Sequence, residues 1–138
     1  RKNGEEVENR QFLEELLSAI GADPVDYATK THCCGGSLII TNRKAALDMV
    51  YRLLQDADNR GTDVIATICP MCNVNLEVYQ RQVNREFGTN FKIPAMYFTQ
   101  LMGLALGIAP GRLGIGKEMV SMAPSLFPSQ SEEVGNRR

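Results

Sequence analysis

All four cysteines of this chain fall in two short stretches, Cys33-Cys34-Gly35-Gly36 and Cys69-Pro70-Met71-Cys72. Thiols scattered through a core have no reason to gather as an adjacent pair and a C-x-x-C hook. Thiolates that share a soft metal or an iron–sulfur cluster must be brought together by a few tight turns. The two stretches therefore read as one metal site, and the fold has to close the separation made by residues 35–68. Adjacent cysteines bridge each other only with strain. Two disulfides between the stretches are formally open in a secreted domain, but no signal-peptide pattern is present and clustered thiols suit a reducing compartment.

Zinc is the simplest occupant, because four thiolates fill its tetrahedral shell. Against it, adjacent cysteines reach a single ion only with a strained backbone, whereas a multinuclear core offers separate iron atoms to neighbouring thiolates. Zinc can still occupy the site in an isolated or recombinant fragment. A thioredoxin-like dithiol would account for Cys69 and Cys72 but not for Cys33 and Cys34.

With 138 residues, the chain is long enough for one compact domain. Its 15 Lys and Arg against 16 Asp and Glu leave a formal charge of -1, so no global basic field attracts nucleic acid or anionic lipid. The longest apolar run, residues 101–110, contains Gly103 and Gly107 and falls well short of the roughly 20 residues of a spanning helix.

Helical and strand-like patterns alternate. Residues 9–20 carry Phe12, Leu13, Leu16, Leu17 and Ile20 at helical spacing, ended by Gly21 and Pro24. Residues 25–29 are a short strand candidate, and residues 37–60 predict a second helix, with Ser37 placed to cap it. Residues 63–68 form an apolar β-rich run of the kind buried in a parallel sheet, and they feed directly into Cys69. A third helix over 73–87, a strand over 91–98 and short helical pieces over 100–108 and 117–122 follow.

These patterns predict an α/β fold, a small parallel sheet with helices on both faces and Rossmann-like layering. Ligands in such folds lie beyond the C-terminal ends of the strands, where both cysteine stretches map. Residues 1–128 read as one cysteine-rich domain, a fragment of a larger subunit, and residues 129–138 as a polar C-terminal tail.

Three stretches carry a family resemblance. They are Thr31-His32-Cys33-Cys34-Gly35-Gly36, Cys69-Pro70-Met71-Cys72-Asn73-Val74-Asn75-Leu76-Glu77, and the run from Pro94 through Tyr97 and Gln100 to Gly107. Over about residues 5–127 the chain resembles the CCG cysteine-rich domain of the heterodisulfide reductase B-subunit family. Related domains occur in iron–sulfur subunits of glycolate and glycerol-3-phosphate oxidoreductases, in lactate-utilisation proteins and in an unusual succinate dehydrogenase subunit.

In that branch a noncubane 4Fe–4S cluster is held by an isolated cysteine, a CC pair and a C-x-x-C. The resemblance implies that Cys33, Cys34, Cys69 and Cys72 take the last four ligand positions. Two departures stand out: the isolated cysteine would fall just upstream of Arg1, and the spacer between Cys34 and Cys69 is slightly short. The chain is expected to be the C-terminal of two such domains.

The resemblance further implies catalysis that makes or cleaves a disulfide in two one-electron steps. Its expected partners are the N-terminal CCG domain of the same subunit, a cubane-cluster electron-transfer subunit, a flavin subunit, and a disulfide or protein-bound lipoyl substrate. The implied location is cytoplasmic, with membrane association only through partner subunits. The alternative is a non-catalytic iron–sulfur or zinc domain that relays electrons or anchors a succinate, glycolate or lactate oxidoreductase.

His32, the only histidine, adjoins Cys33. It reads first as a hydrogen-bond donor to cluster sulfur or backbone, and second as an acid that protonates a leaving thiolate. Asn73 and Asn75 are expected first to cap the helix after Cys72, and second to donate to cluster sulfide. Tyr97 and Gln100 are candidates to line the crevice, although Tyr97 suits a partly buried core position equally well. Leu101, Leu104, Leu106 and Ile108 belong either to the core or to a partner-facing surface.

Overall fold

The computed structural model describes residues 12–117, 119 and 120. Helix α1 spans Phe12–Ala19, α2 Leu38–Thr41, α3 Arg43–Asn59, α4 Pro70–Val78, α5 Gln80–Phe87 and α6 Phe98–Ala105. Strands β1 (Ile65–Thr67) and β2 (Ala95–Tyr97) pair in parallel, with Ile65 opposite Ala95, Ala66 opposite Met96 and Thr67 opposite Tyr97. The fold is mixed α/β around a small parallel sheet, as the alternating pattern predicts. A parallel pair needs a crossover, and α4 and α5 supply it.

α3 forms because Ala46, Leu47, Val50, Leu53, Leu54 and Ala57 recur every three or four residues and bury one face. That face meets Ile65, Leu76, Val83, Phe91, Ile93 and Ala95 in one core, which also takes in Cys34. Tyr51 extends the core by stacking on Phe87, with ring centroids 4.3 Å apart. α4 and α6 both pack on the two strands.

Five expectations need correction. Residues 25–29 form no strand, because Thr29 gives its backbone N–H and its hydroxyl to the Asp56 carboxylate, at 3.1 and 3.0 Å, instead of to a ladder. The helix expected over 37–60 is broken at Asn42, whose φ of -145° and ψ of 74° are not helical. Asn42, rather than Ser37, caps α3: its Oδ1 accepts from the Ala45 N–H at 3.2 Å, while Ser37 makes no side-chain cap.

The helix expected over 73–87 begins earlier, at Pro70, and divides at Tyr79. Proline suits that first turn because its missing N–H has no intrahelical partner there. Of the helical piece expected over 117–122, residues 117, 119 and 120 are not helical, and the remainder lies outside the described residues. The N-terminal start expected for α1, residues 9–11, also lies outside them.

Candidate metal centre

β1 ends at Thr67, and two residues later Cys69 stands at the N-cap of α4. The C-x-x-C hook therefore wraps the first turn of a helix at the C-terminal end of a strand. Cys69 is exposed and Cys72 half-buried. The backbone N–H groups of Cys72 and Met71 point at the Cys69 sulfur and hold its thiol below the usual range, as unpaired N–H groups at a helix start do for an anion. Burial pushes the Cys72 thiol up to about 12, and its contact with the Cys34 thiol adds to the effect.

The first hook is set by different means. Thr29, tied to Asp56 of α3, anchors the approach, and the His32 N–H closes a turn on the Thr29 carbonyl at 2.9 Å. Cys33 is exposed, and its sulfur accepts from the Gly35 N–H at 3.4 Å. Gly35 turns the chain at φ +69°, where a side chain would be strained, and Leu38 N–H closes on its carbonyl at 2.8 Å. Cys34, 1% exposed, points into the core.

The hooks meet across α4. Cys72 touches Cys34, the Asn75 Nδ2 donates to the Cys34 carbonyl at 3.3 Å, and a Cβ on Gly36 would stand 2.9 Å from the Cβ of Met71. Residues 33–36 thus lie directly on the first turns of α4. As the side chains stand, no three of the His, Cys, Asp and Glu among the described residues surround a common ion position. The donor set nevertheless suits a soft, thiolate-bound centre of several metal atoms: four thiols in two hooks, three of them open to solvent or partly so, beside the N-terminus of a helix.

The remaining sequence candidates take other places. His32 is exposed beside Cys33. Neither Asn73 nor Asn75 caps α4: the Thr67 hydroxyl lies 2.9 Å from Asn73 Oδ1 and 3.0 Å from the Met96 carbonyl, and Asn75 reaches Cys34. Gln100 is a capping residue, its Oε1 accepting from the Tyr97 N–H at 2.9 Å while its Nε2 donates to the Leu113 carbonyl at 2.9 Å. Tyr97 is half-buried in β2.

The latch made by Asn75 is the site residue that capping logic misses. Its position three residues after Cys72, on the same side of a helix, is the signal that marks it. A surface hollow of about 790 Å³ lies elsewhere, lined by Glu14, Asp23, Asp26 and Lys30 among others and by no cysteine. Lys30 there already pairs with Glu14 and Asp26.

A parallel strand delivering a C-x-x-C helix onto a CC-Gly-Gly turn defines a cysteine-rich α/β domain. The profile of the CCG cysteine-rich domain family matches residues 1–77, more than half of the sequence, and the chain belongs to that family.

Among curated proteins, it is 39% identical over 121 residues to the B subunit of the ferredoxin/F420H2-dependent CoB-CoM heterodisulfide reductase of Methanosarcina acetivorans. That match covers 86% of this chain and 40% of the relative. The B subunit of the ferredoxin:CoB-CoM heterodisulfide reductase of Methanosarcina mazei is 37% identical over the same coverage. The membrane anchor subunit of the 8-methylmenaquinol:fumarate reductase of Wolinella succinogenes is 27% identical, over 81% of this chain and 39% of the relative. The chain spans about 40% of the length of these relatives. Among the described residues, no helix is long and apolar enough to cross a membrane.

Proposed function

We propose that this chain is the cysteine-rich domain of a heterodisulfide-reductase-like subunit, the C-terminal of two, and that Cys33, Cys34, Cys69 and Cys72 hold a noncubane 4Fe–4S cluster. The observation that carries this reading is the contact between the two cysteine segments at the C-terminal end of β1, where Cys34 meets Cys72 through α4. Its support from relatives is the likeness to two heterodisulfide reductase B subunits.

Cleavage of a disulfide takes two electrons and two protons and yields two thiols. The cluster, when bound, stores single electrons and offers iron to sulfur, so that one-electron delivery serves a two-electron bond scission. The chain's own groups do the rest. The α4 N-terminus favours the anionic form of Cys69, the Gly35 turn presents Cys33, and the core fixes Cys34. His32, exposed beside Cys33, is placed either to donate a hydrogen bond at the centre's edge or to protonate a departing thiolate. Electrons come from a cubane-cluster subunit linked to a flavin subunit, and the substrate is a small-molecule disulfide or a protein-bound lipoyl sulfur compound. The subunit works in the cytoplasm and reaches a membrane only through partners.

The likeness to a fumarate reductase anchor subunit favours one competing reading, a centre that relays electrons or anchors a complex without disulfide chemistry. Anaerobic purification of the full-length subunit separates the two. Iron and acid-labile sulfide with an EPR signal unlike that of a cubane, together with disulfide-dependent oxidation of a reduced viologen, is the expected result. A loaded centre without disulfide turnover supports the relay, and zinc in place of iron in the anaerobic full-length protein overturns the cluster assignment.

A further inference from the structure

Asn75 is 1% exposed, its Nδ2 donates to the Cys34 carbonyl at 3.3 Å, and its Oδ1 is buried with no partner among the described residues. For stability alone this is a poor choice. An idle buried acceptor offsets what one neutral hydrogen bond returns, and a leucine of similar size would remove that penalty while taking the donor from the Cys34 carbonyl. What the amide supplies instead is a directional tie, 41 residues apart in sequence, between the backbone of the first cysteine hook and the helix of the second. The packing of Gly36 on Met71 brings the hooks together, but a non-directional contact does not set the rotation of the Cys34 peptide.

We infer that Asn75 is a positioning residue that fixes the Cys34 sulfur at the distance from Cys72 which a shared thiolate-bound centre requires, at the expense of a buried acceptor left unpaired. This rests on the reading of the two hooks as one centre. The test needs no iron. Phenylarsine oxide condenses with two thiols, forming two As–S bonds and releasing one water while the arsenic stays trivalent, and it binds tightly only where the sulfurs are close.

In the 138-residue chain carrying Cys33→Ser and Cys69→Ser, both exposed positions, Cys34 and Cys72 are the only thiols left. Adding Asn75→Leu should lower the arsenical affinity about tenfold, the scale of change typical for groups that orient metal ligands. The thermal midpoint should change little, because relief of the idle Oδ1 is offset by loss of the donor to the Cys34 carbonyl. Asn75→Met, which also fills the space but offers the Cys34 carbonyl no donor, should lower the affinity as well.

Unchanged affinity in either folded variant overturns the inference, as does failure of the two-thiol chain to bind the arsenical. Failure of both Asn75 variants to fold assigns the residue to the core alone and overturns it too. Iron analysis of the unsubstituted subunit is read separately. An iron-free subunit with the tenfold arsenical effect intact removes the cluster assignment and leaves Asn75 as the residue that sets the thiol spacing.

Discussion

Cys69 and Cys72 share one helical turn, yet the first is exposed to the N–H groups of that turn and the second is turned toward Cys34 and the core. Depression of the Cys69 thiol and elevation of the Cys72 thiol to about 12 follow from those surroundings. For Cys72 the folded chain holds its proton above the pH at which the unfolded chain releases it, near 9. The associated stability is therefore complete below about pH 9 and is lost as pH rises toward 12. The reduced, metal-free protein should melt at falling temperatures from pH 9 to 11, and Cys72→Ser should flatten that fall; equal slopes in both proteins would show that another group carries it. Under the proposed function the metal takes Cys72 as thiolate, so loading would displace the Cys72 proton. Replacing Cys34 or Cys69 with serine exchanges a soft ligand for a poor one, so the intact subunit should lose or convert its centre and its disulfide turnover. His32→Gln should keep the iron and change rate or potential by about tenfold or less. Full turnover in Cys34→Ser would remove the assigned chemistry, and an unaltered pH–rate profile in His32→Gln would remove the histidine from proton transfer. At this scale the cysteines were legible in the sequence because their spacing within each hook is covalent. The asymmetry between Cys69 and Cys72 was not, since it depends on which sulfur the core covers.

The elements of this domain are held by polar side chains that replace missing sheet. Gln80 and Asn84, one turn apart on α5, grip the extended segment that leads into β2. Gln80 donates from Nε2 to the carbonyls of Leu76 and Ile93 and accepts from the Ile93 N–H, each at 2.8 Å. Asn84 donates to the Phe91 carbonyl at 2.9 Å and accepts from the Phe91 N–H at 2.8 Å. Residues 91 and 93 thus receive from two side chains the pairing that a neighbouring strand would give. Gln80 is 1% exposed, so Gln80→Leu strands several buried backbone groups and should destabilise the domain by about 2–4 kcal/mol, using roughly 1–3 kcal/mol for each unsatisfied group and some relaxation. Urea unfolding measures this; a loss below about 1 kcal/mol would mean that water takes over the bonds. The apolar spacing in α1, α3 and β1 made those elements legible. The breaks at Asn42 and Tyr79 were not, because hydrophobic residues continue at helical spacing on both sides of each. The strand candidate over 25–29 failed for a related reason: Val25 is exposed, and Asp56, distant in sequence, captures Thr29.

At the scale of the whole molecule, an apolar stripe stands exposed along α4, the helix that carries the second cysteine hook. Ile68, Met71, Val74 and Val78 recur every three or four residues along the start of α4, a spacing that normally faces a core, and all four are exposed. Ile40, 90% exposed, follows the first hook, and at the end of α6 Leu106 is 74% exposed with Ile108 also open, while Leu101 and Leu104 are half-buried. The reading of residues 101–108 as wholly internal core is therefore not what the structure shows. Sequence periodicity reports that a face is apolar but not what covers it, and for that reason the exposed stripe was illegible as a surface. The chain spans about 40% of its relatives' length, and under the proposed function the stripe is covered by the N-terminal cysteine-rich domain of the same subunit. Val74→Glu tests this by context. In the isolated domain the glutamate would stand in water, and a surface change of that kind shifts stability by only about 0.5 kcal/mol. In the full-length subunit the same carboxylate would be buried against an apolar partner without a counter-charge, at a cost of several kcal/mol or with its own protonation. The expected outcome is a thermal midpoint nearly unchanged in the isolated domain and clearly lowered in the full-length subunit, with the difference shrinking at acid pH where the carboxyl is neutral. Equal midpoints in the two contexts would show that the α4 stripe faces solvent in the assembled protein.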